Sequence, residues 1–167
     1  MSRVLYLEAP NGYKLNVNSA FLAGGITNCT NWQSIVFEEI QNQFPTFDFK
    51  YDIAILNPRR KSFDITNPDE SSKQILWEYQ GINHYSNVFS VWFSSGPSVQ
   101  PITLFELGAA FYNFNSENIC IGVEPGYCRS FDVYKQIELR NPSTSISSNY
   151  KTHATNILTA LKRFDFV

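Results

Sequence analysis

The sequence predicts a single α/β domain over residues 1–167. The expected architecture is a three-layer sandwich, in which a mostly parallel sheet of about five strands is covered by helices on both faces. A length of 167 residues suits one domain with a substantial core. Short apolar segments alternate with segments of helical periodicity, and glycine, proline or polar residues follow the apolar segments. This alternation favours strands that run parallel, with helices as the crossovers.

The individual elements follow from these patterns. Apolar runs bounded by turn residues predict strands over residues 4–7, 20–25, 52–56, 87–93 and 118–123. Helical periodicity predicts helices over residues 32–44, 71–84, 101–112 and 150–164. The pattern over residues 132–139 fits either a helix or a strand, and the Ser/Thr-rich residues 141–149 predict a surface loop.

Two of the predicted helices carry apolar stripes. On the second helix, Ile75, Tyr79 and Ile82 are expected to face the core. On the third helix, Ile102, Phe105, Ala109 and Tyr112 lie on one side, and Leu104, Leu107 and Phe111 widen this apolar stripe.

Composition excludes several classes of function. The formal net charge is −2 and the pI is about 5.7, which provides no electrostatic footprint for a nucleic acid polymer. Three cysteines form no CxxC motif and leave one over from any pairing, which indicates a reducing compartment and no structural zinc. The two histidines lie far apart in sequence, which argues against a histidine-rich metal site. No apolar run reaches membrane-spanning length, so we expect a soluble, cytoplasmic protein that binds no membrane.

Three segments are expected to form one cleft. The Gly24-Gly25 turn, the segment Asn57-Pro58-Arg59 and the loop of residues 94–100 each follow a predicted strand. The carboxyl ends of parallel strands lie at the same edge of a sheet, and ligands bind there. Backbone N–H groups of the glycine turn would face such a ligand. Arg59 suits a phosphate or carboxylate, although paired arginines after a strand are also common surface or subunit contacts.

Two acids would reach this cleft from helices. Glu106 lies near the start of the third helix, where the macrodipole is expected to keep its carboxylate ionised, and Gly108 leaves the nearby backbone open. Glu78 lies on the preceding helix. Paired carboxylates suit chemistry at an anomeric carbon, where one attacks and the other handles a proton. For either glutamate alone, the ordinary alternative is a solvated helix residue.

Six motifs follow one another in order along the chain. They are Phe21-Leu-Ala-Gly-Gly-Ile26, Asn31-Trp-Gln33, Leu56-Asn-Pro-Arg-Arg60, Gln74-Ile-Leu-Trp-Glu78, Phe89 to Phe93 and Pro101-Ile-Thr-Leu-Phe-Glu-Leu-Gly108. This set resembles the nucleoside 2-deoxyribosyltransferase-like family over about residues 20–123, roughly two thirds of the chain. No single motif is specific, whereas their ordered combination is.

The resemblance implies a flavodoxin-like or Rossmann-like parallel fold and a defined chemistry. The glutamate of the Glu-Leu-Gly motif, Glu106, would attack C1′ of a 2′-deoxynucleoside and form a covalent deoxyribosyl-enzyme. A second base would then take the sugar. Glu78 would exchange a proton with the base, although related enzymes have an aspartate there. The substrates would be deoxynucleosides and free purine or pyrimidine bases, with no metal and no organic cofactor.

Further contacts are implied by the same resemblance. Gln100 occupies the position of an aspartate that contacts the base in related enzymes. Asp132 and the terminal carboxylate of Val167 are candidates for contacts to the sugar, which in the family often come from a neighbouring subunit. The family's shared sites and the aromatic content of 16% lead us to expect a homo-oligomer with sites near subunit interfaces.

Three functions remain open from the sequence. A glycosyl-enzyme can pass its sugar to a base or to water, so base exchange and N-glycoside hydrolysis share the same motifs. A hydrolase acting on nucleotides would need a cationic site for the 5′-phosphate, for which Arg59 and Arg60 are available. A non-catalytic nucleotide-binding domain is the third possibility, because fold does not dictate function.

Overall fold

The protein forms one sheet of parallel strands between two layers of helices. The computed structural model describes residues 2–13, 16–62, 64 and 66–166. The strands are β1 (Val4–Glu8), β2 (Asn18–Gly24), β3 (Ile53–Asn57), β4 (Val88–Phe93), β5 (Ile119–Val123) and β6 (Ile146–Ser147). They lie in the order β1-β3-β2-β4-β5-β6, and every neighbouring pair is parallel. The predicted fold class is confirmed.

Five helices connect or follow the strands. They are α1 (Trp32–Gln43), α2 (Pro68–Gln80), α3 (Pro101–Asn113), α4 (Ser130–Arg140) and α5 (Tyr150–Lys162). A π-helical turn over Gly81–Tyr85 follows α2. Residues 132–139, which fit a helix or a strand by sequence, therefore form a helix. The predicted loop of residues 141–149 contains the two-residue strand β6, which is too short for a periodicity to show.

The strand order reverses between β2 and β4, and we call the region at the carboxyl ends of these two strands the crevice. The chain moves from β2 to β3 in one direction across the sheet, and then returns past β2 to β4, β5 and β6 in the other. The order therefore reverses at the β2–β4 pair, where Gly24 lies opposite Trp92. In open parallel sheets, ligands bind outside the carboxyl ends of the strands at such a point. The segments that follow β2, β3 and β4 all begin at this edge.

Each face of the sheet has its own apolar core. One core joins the sheet to α1 and α5, and its largest fully buried rings are Trp32 and Trp92. The other joins the sheet to α2, α3 and α4, with Trp77, Phe89 and Leu107 at its centre. Right-handed crossovers explain the division, because helices that follow opposite directions of travel across a sheet cover opposite faces.

Part of the apolar stripe on each of α2 and α3 points away from the sheet. On α2, Ile75 and Tyr79 are more than half exposed, whereas Ile82 is buried as expected. On α3, Leu107 of the wider stripe is buried together with Thr103 and Ala110. The solvent-exposed part of that stripe consists of Ile102 (65% exposed), Phe105 (75%) and Tyr112 (93%). Periodicity identifies which residues share a helix face, but on a helix with two apolar faces it does not identify the face that meets the sheet.

Among the residues that the structure describes, no helix combines the length and the apolar character needed to cross a bilayer.

Candidate active site

Gln100 bridges the crevice between β2 and β4. Its side chain is 4% exposed, and its Oε1 accepts hydrogen bonds from the backbone N–H of Gly25 (3.1 Å) and of Ser94 (3.4 Å). Its Nε2 donates to the carbonyl oxygen of Ser94 at 2.8 Å. The residue itself has a left-handed backbone, with φ of 54°, immediately before α3. The amide therefore joins the two loops that flank the crevice, and both of its polar atoms are occupied.

The glycine turn is packed tightly against the same bridge. A Cβ on Gly24 would lie 2.6 Å from Cζ2 of Trp32, and a Cβ on Gly25 would lie 2.7 Å from Oε1 of Gln100. Any larger residue at either position would have to displace an indole ring or the Gln100 amide. The carbonyl oxygen of Gly25 accepts from Nε1 of Trp32 at 3.2 Å. The two glycines are thus required by close approach of their neighbours.

Arg59 closes the crevice from the β3 side. Its Nε donates to Oε1 of Gln33 at 3.0 Å, and its Nη2 donates to the carbonyl oxygens of Thr30 (3.0 Å), Cys29 (3.3 Å) and Gly25 (3.4 Å). The guanidinium therefore holds the loop between β2 and α1 against the end of β3. Burial lowers the pKa of Arg59, which remains a cation at physiological pH.

Asn57 and Pro58 form the end of β3 beneath this arginine. Asn57 is 1% exposed, donates from Nδ2 to the hydroxyl of Tyr6 (2.7 Å) and accepts at Oδ1 from the N–H of Arg59 (2.9 Å). The carbonyl oxygen of Pro58 accepts from Nε2 of Gln74 at 2.7 Å. The structure therefore brings together all the crevice residues that the sequence indicated, with their polar atoms satisfied largely by one another.

Two carboxyl groups on different helices, α2 and α3, interact electrostatically. Glu78 on α2 and Glu106 on α3 are both half-buried, and each belongs to the helix layer that covers the β2–β4 crossing. Glu78 accepts a hydrogen bond at Oε1 from Nε2 of Gln74, 2.9 Å away and one helical turn earlier. The electrostatic interaction of Glu78 with Glu106 shows that the two carboxyl groups lie close to each other.

Burial and like charge both keep a proton on this pair. The pKa of Glu106 is raised to about 8. Burial is the larger cause, and the charge of the nearby Glu78 carboxylate is the smaller one. Burial also raises the pKa of Glu78, while the hydrogen bond from Gln74 lowers it. Two carboxylates that share a site cannot both ionise at neutral pH without strong repulsion. The pair therefore carries a proton at pH 7, in the manner of acid and nucleophile pairs.

The expectation that the macrodipole keeps Glu106 ionised is wrong. Helix α3 begins at Pro101, so Glu106 is the sixth helical residue and lies beyond the first turn. The field of a helix terminus falls off within that turn. Burial between α2 and α3 dominates instead, because a charged carboxylate loses its hydration there.

Two further residues were predicted to contact the sugar across a subunit boundary. Asp132 is exposed in the first turn of α4 and forms an ion pair with Nε of Arg129 at 3.1 Å. Val167 lies outside the described residues.

Two polar residues of this region were missed by sequence reasoning. Gln74 touches Glu78 and Pro58. Glu124, directly after β5, accepts at Oε2 from the N–H and hydroxyl of Ser95, and at Oε1 from the hydroxyl of Tyr150. The spacing of four residues between Gln74 and Glu78 was a usable signal, because such residues are neighbours on a helix.

These features define a class: a parallel α/β domain with a switch-point crevice and a buried carboxyl pair on one helix layer. A comparison with protein families identifies the family within this class. The family described as "Nucleoside 2-deoxyribosyltransferase like" matches residues 17–127, well over half of the chain, and the protein belongs to this family. The matched region includes β2 to β5, both glutamates and Gln100. A search of curated proteins found no match.

Proposed function

We propose that the protein is a nucleoside 2-deoxyribosyltransferase, in which Glu106 is the nucleophile and Glu78 exchanges a proton with the base. The observation that carries the proposal is the pair of half-buried carboxyl groups on α2 and α3, of which one must hold a proton at neutral pH. A proton donor and an anionic nucleophile side by side are what the cleavage of an N-glycosidic bond needs. Membership of the family supports the same chemistry.

The proposed reaction has two balanced halves. In the first, an ionised oxygen of Glu106 forms a bond to C1′ while the bond from C1′ to the base nitrogen breaks. The leaving base takes the electron pair of that bond together with the proton of the carboxyl pair, delivered through Glu78. In the second half, an incoming base attacks C1′ and returns its proton to Glu78 as Glu106 leaves. No metal or organic cofactor is required, because the two carboxyl groups supply both the nucleophile and the proton.

The surroundings of Arg59 and Arg60 favour nucleosides over 5′-nucleotides as substrates. Arg59 directs its Nε and Nη2 at Gln33 and three carbonyl oxygens. Arg60 forms an ion pair with Glu70 at 2.7 Å. A phosphate group would have to compete with these contacts for each cation. We therefore place deoxynucleosides and free bases ahead of nucleotides as ligands of this crevice.

A turnover assay tests the proposal. Wild type, Glu106→Gln and the exposed control Glu138→Gln are incubated with 2′-deoxyinosine or thymidine and excess adenine, and products are separated by chromatography. We expect deoxyadenosine from wild type and the control, and none from Glu106→Gln. Free base and free deoxyribose without exchange would replace the transferase with a hydrolase. Deoxynucleoside binding without turnover in wild type would leave a nucleotide-binding domain.

We also propose that the outer face of α2, α3 and α4 binds a second copy of the chain. This face carries nine exposed large apolar residues, namely Ile75, Leu76, Tyr79, Ile102, Phe105, Tyr112, Phe131, Tyr134 and Leu139. Its aromatic rings alone expose on the order of 600 Å². A stable interface needs about 800 Å² per partner, which the aliphatic residues complete.

The charge pattern of α3 suits self-association. Helix α3 lies between α2 and α4, and Glu106 is its only charged residue. In a two-fold interface the same patch meets itself, so a charged patch would oppose its own sign. An uncharged apolar helix at the centre avoids that repulsion and fits a second copy.

The oligomeric state can be measured by sedimentation equilibrium. Tyr112→Glu combined with Leu76→Glu is expected to reduce the mass of the particle to that of one chain, because desolvated charges would face each other. Tyr51→Glu is the matched control, since Tyr51 is 56% exposed but precedes β3 and lies outside α2, α3 and α4. A monomeric wild type, or an oligomer insensitive to the double substitution, would contradict the proposal.

A further inference from the structure

Gln74 makes two hydrogen bonds whose directions are determined. Its side chain is 9% exposed, and Nε2 lies 2.7 Å from the carbonyl oxygen of Pro58 and 2.9 Å from Oε1 of Glu78. Both partners are acceptors, so both amide protons are used. The opposite amide orientation would place Oε1 of Gln74 against two oxygens and is excluded by that repulsion. In the part of the chain that the structure describes, Oε1 of Gln74 is buried and accepts no hydrogen bond.

This geometry links the acid to the edge of the sheet. Pro58 directly follows β3, and Glu78 lies one turn after Gln74 on α2. A single amide group therefore spans the gap between the end of a buried strand and the carboxyl group of Glu78. Because Oε1 of Glu78 already accepts the Gln74 proton, its other oxygen, Oε2, is the better site for a transferable proton.

We infer that Gln74 is a positioning residue that holds Oε1 of Glu78 and leaves Oε2 to exchange the proton with the base. This inference rests on the proposed function of Glu78. The donated hydrogen bond keeps the carboxyl group in one orientation. It also stabilises the ionised form of Glu78, which takes the proton from the incoming base in the second half of the proposed reaction, because an N–H group interacts more strongly with a carboxylate than with a neutral acid. Gln74 thereby influences where the shared proton of the pair resides, without itself touching the substrate.

Other titratable groups also act on Glu78. Glu106 faces it from α3, and its charge acts on the same proton. Tyr13, in the segment between β1 and β2, interacts with the charge of Glu78 and donates its hydroxyl proton to the carbonyl oxygen of Trp77. Burial raises the pKa of Tyr13, so it stays neutral while the carboxyl pair titrates. Among these described neighbours, Glu106 is therefore the one whose charge changes as the carboxyl pair titrates.

The first test is a titration that needs no substrate. Carboxyl carbons of ¹³C-labelled glutamate are followed by NMR in wild type, Gln74→Met and the control Gln80→Met, which removes an amide from the last turn of α2. We expect the pKa of Glu78 to rise by about one unit in Gln74→Met, as loss of a hydrogen bond to a charged group implies, and to stay unchanged in the control. An unchanged Glu78 titration in folded Gln74→Met would overturn the inference.

The second test is a double-mutant cycle on turnover. Gln74→Met is expected to lower kcat about tenfold with KM within twofold, and to have no further effect in the Glu78→Gln background. Equal losses in both backgrounds would mean that Gln74 acts independently of Glu78, which contradicts the inference. If Gln74→Met does not fold, Gln74→Glu keeps the shape and should raise the pKa of Glu78 further through like charge. An inactive wild type would refute the proposed function alone, because the titration still decides the Gln74–Glu78 link.

Discussion

The two helix layers of this protein differ in how completely they bury their apolar side chains. In the layer of α1 and α5, the apolar side chains reach the sheet, and none of their large apolar residues is exposed in the part of the chain described. In the layer of α2, α3 and α4, nine large apolar residues face outward. The helix layer of α1 and α5 therefore buries its large apolar side chains, whereas the layer of α2, α3 and α4 leaves apolar surface exposed to solvent.

The two helix layers also differ in how well their buried polar groups are satisfied. Under α5, His153 is fully buried between the hydroxyls of Ser90 and Ser147, each 2.8 Å from one ring nitrogen. One nitrogen of a neutral imidazole donates and the other accepts, so both are satisfied. In the opposite layer, burial raises the pKa of both Glu78 and Glu106, and the charge of Glu78 raises that of Glu106 as well. The layer of α1 and α5 contributes stability, while the layer of α2, α3 and α4 holds the groups suited to chemistry and association.

The largest expected effect is on turnover and comes from a substitution in the Glu78–Glu106 pair of the α2, α3 and α4 layer. Glu106→Gln should lower kcat at least 1,000-fold, because a covalent nucleophile cannot be replaced by positioning alone. The folded protein should become more stable at neutral pH, since burial raises the pKa of Glu106 to about 8 and its ionisation costs free energy. Thermal unfolding and product chromatography on the same samples measure both effects. Residual turnover above that level would mean that another group attacks C1′.

The next effect compares apolar residues of the two layers. Ile40→Ala in α1 should lower the free energy of unfolding by about 2–5 kcal/mol, because Ile40 is fully buried. Phe131→Ala in α4 should change it by less than about 0.5 kcal/mol at monomeric concentrations, since Phe131 is 78% exposed. Urea unfolding at low and high protein concentration separates the stability of the single chain from the contribution of assembly. A large cost for Phe131→Ala in the monomer would show that the outer face is packed within one chain.

The smallest expected effect is a pH dependence from His153. Burial lowers its pKa to about 3 in the folded protein, against 6.5 in the unfolded chain. The unfolded state therefore binds the proton first, so stability is complete above about pH 6.5 and falls by about 1.4 kcal/mol per unit as the pH decreases toward 3. Between pH 7 and pH 5, wild type should lose about 2 kcal/mol more than His153→Gln. The exposed control His84→Gln should behave as wild type; an equal loss in all three would exclude His153 as the cause.

Local pattern was sufficient for the elements and for part of the site. The boundaries of β3, β4 and β5 were predicted to within a residue at each end, because each is a buried apolar run followed by turn residues. Parallel strands end at one edge, so the convergence of Gly25, Asn57 and Gln100 also followed from the sequence. Glu78 and Glu106 were found through the motifs around them.

Other features depend on groups that are distant in sequence. The orientation of α3 depends on which of its two apolar faces packs better on β4, and a periodicity does not rank them. No local pattern places His153 in the core, where Ser90 and Ser147, from two different strands, provide its hydrogen bonds. The bonds of Gln100 to Gly25 likewise join residues 75 positions apart.

The sequence by itself determined the order of strands and helices and the edge at which their turns meet, because these follow from local patterning and chain connectivity. Tertiary structure decided which helix face is exposed, which polar groups satisfy one another and that the Glu78–Glu106 pair holds a proton. These properties depend on distance and burial, since desolvation and like charge act only when the two helices lie side by side.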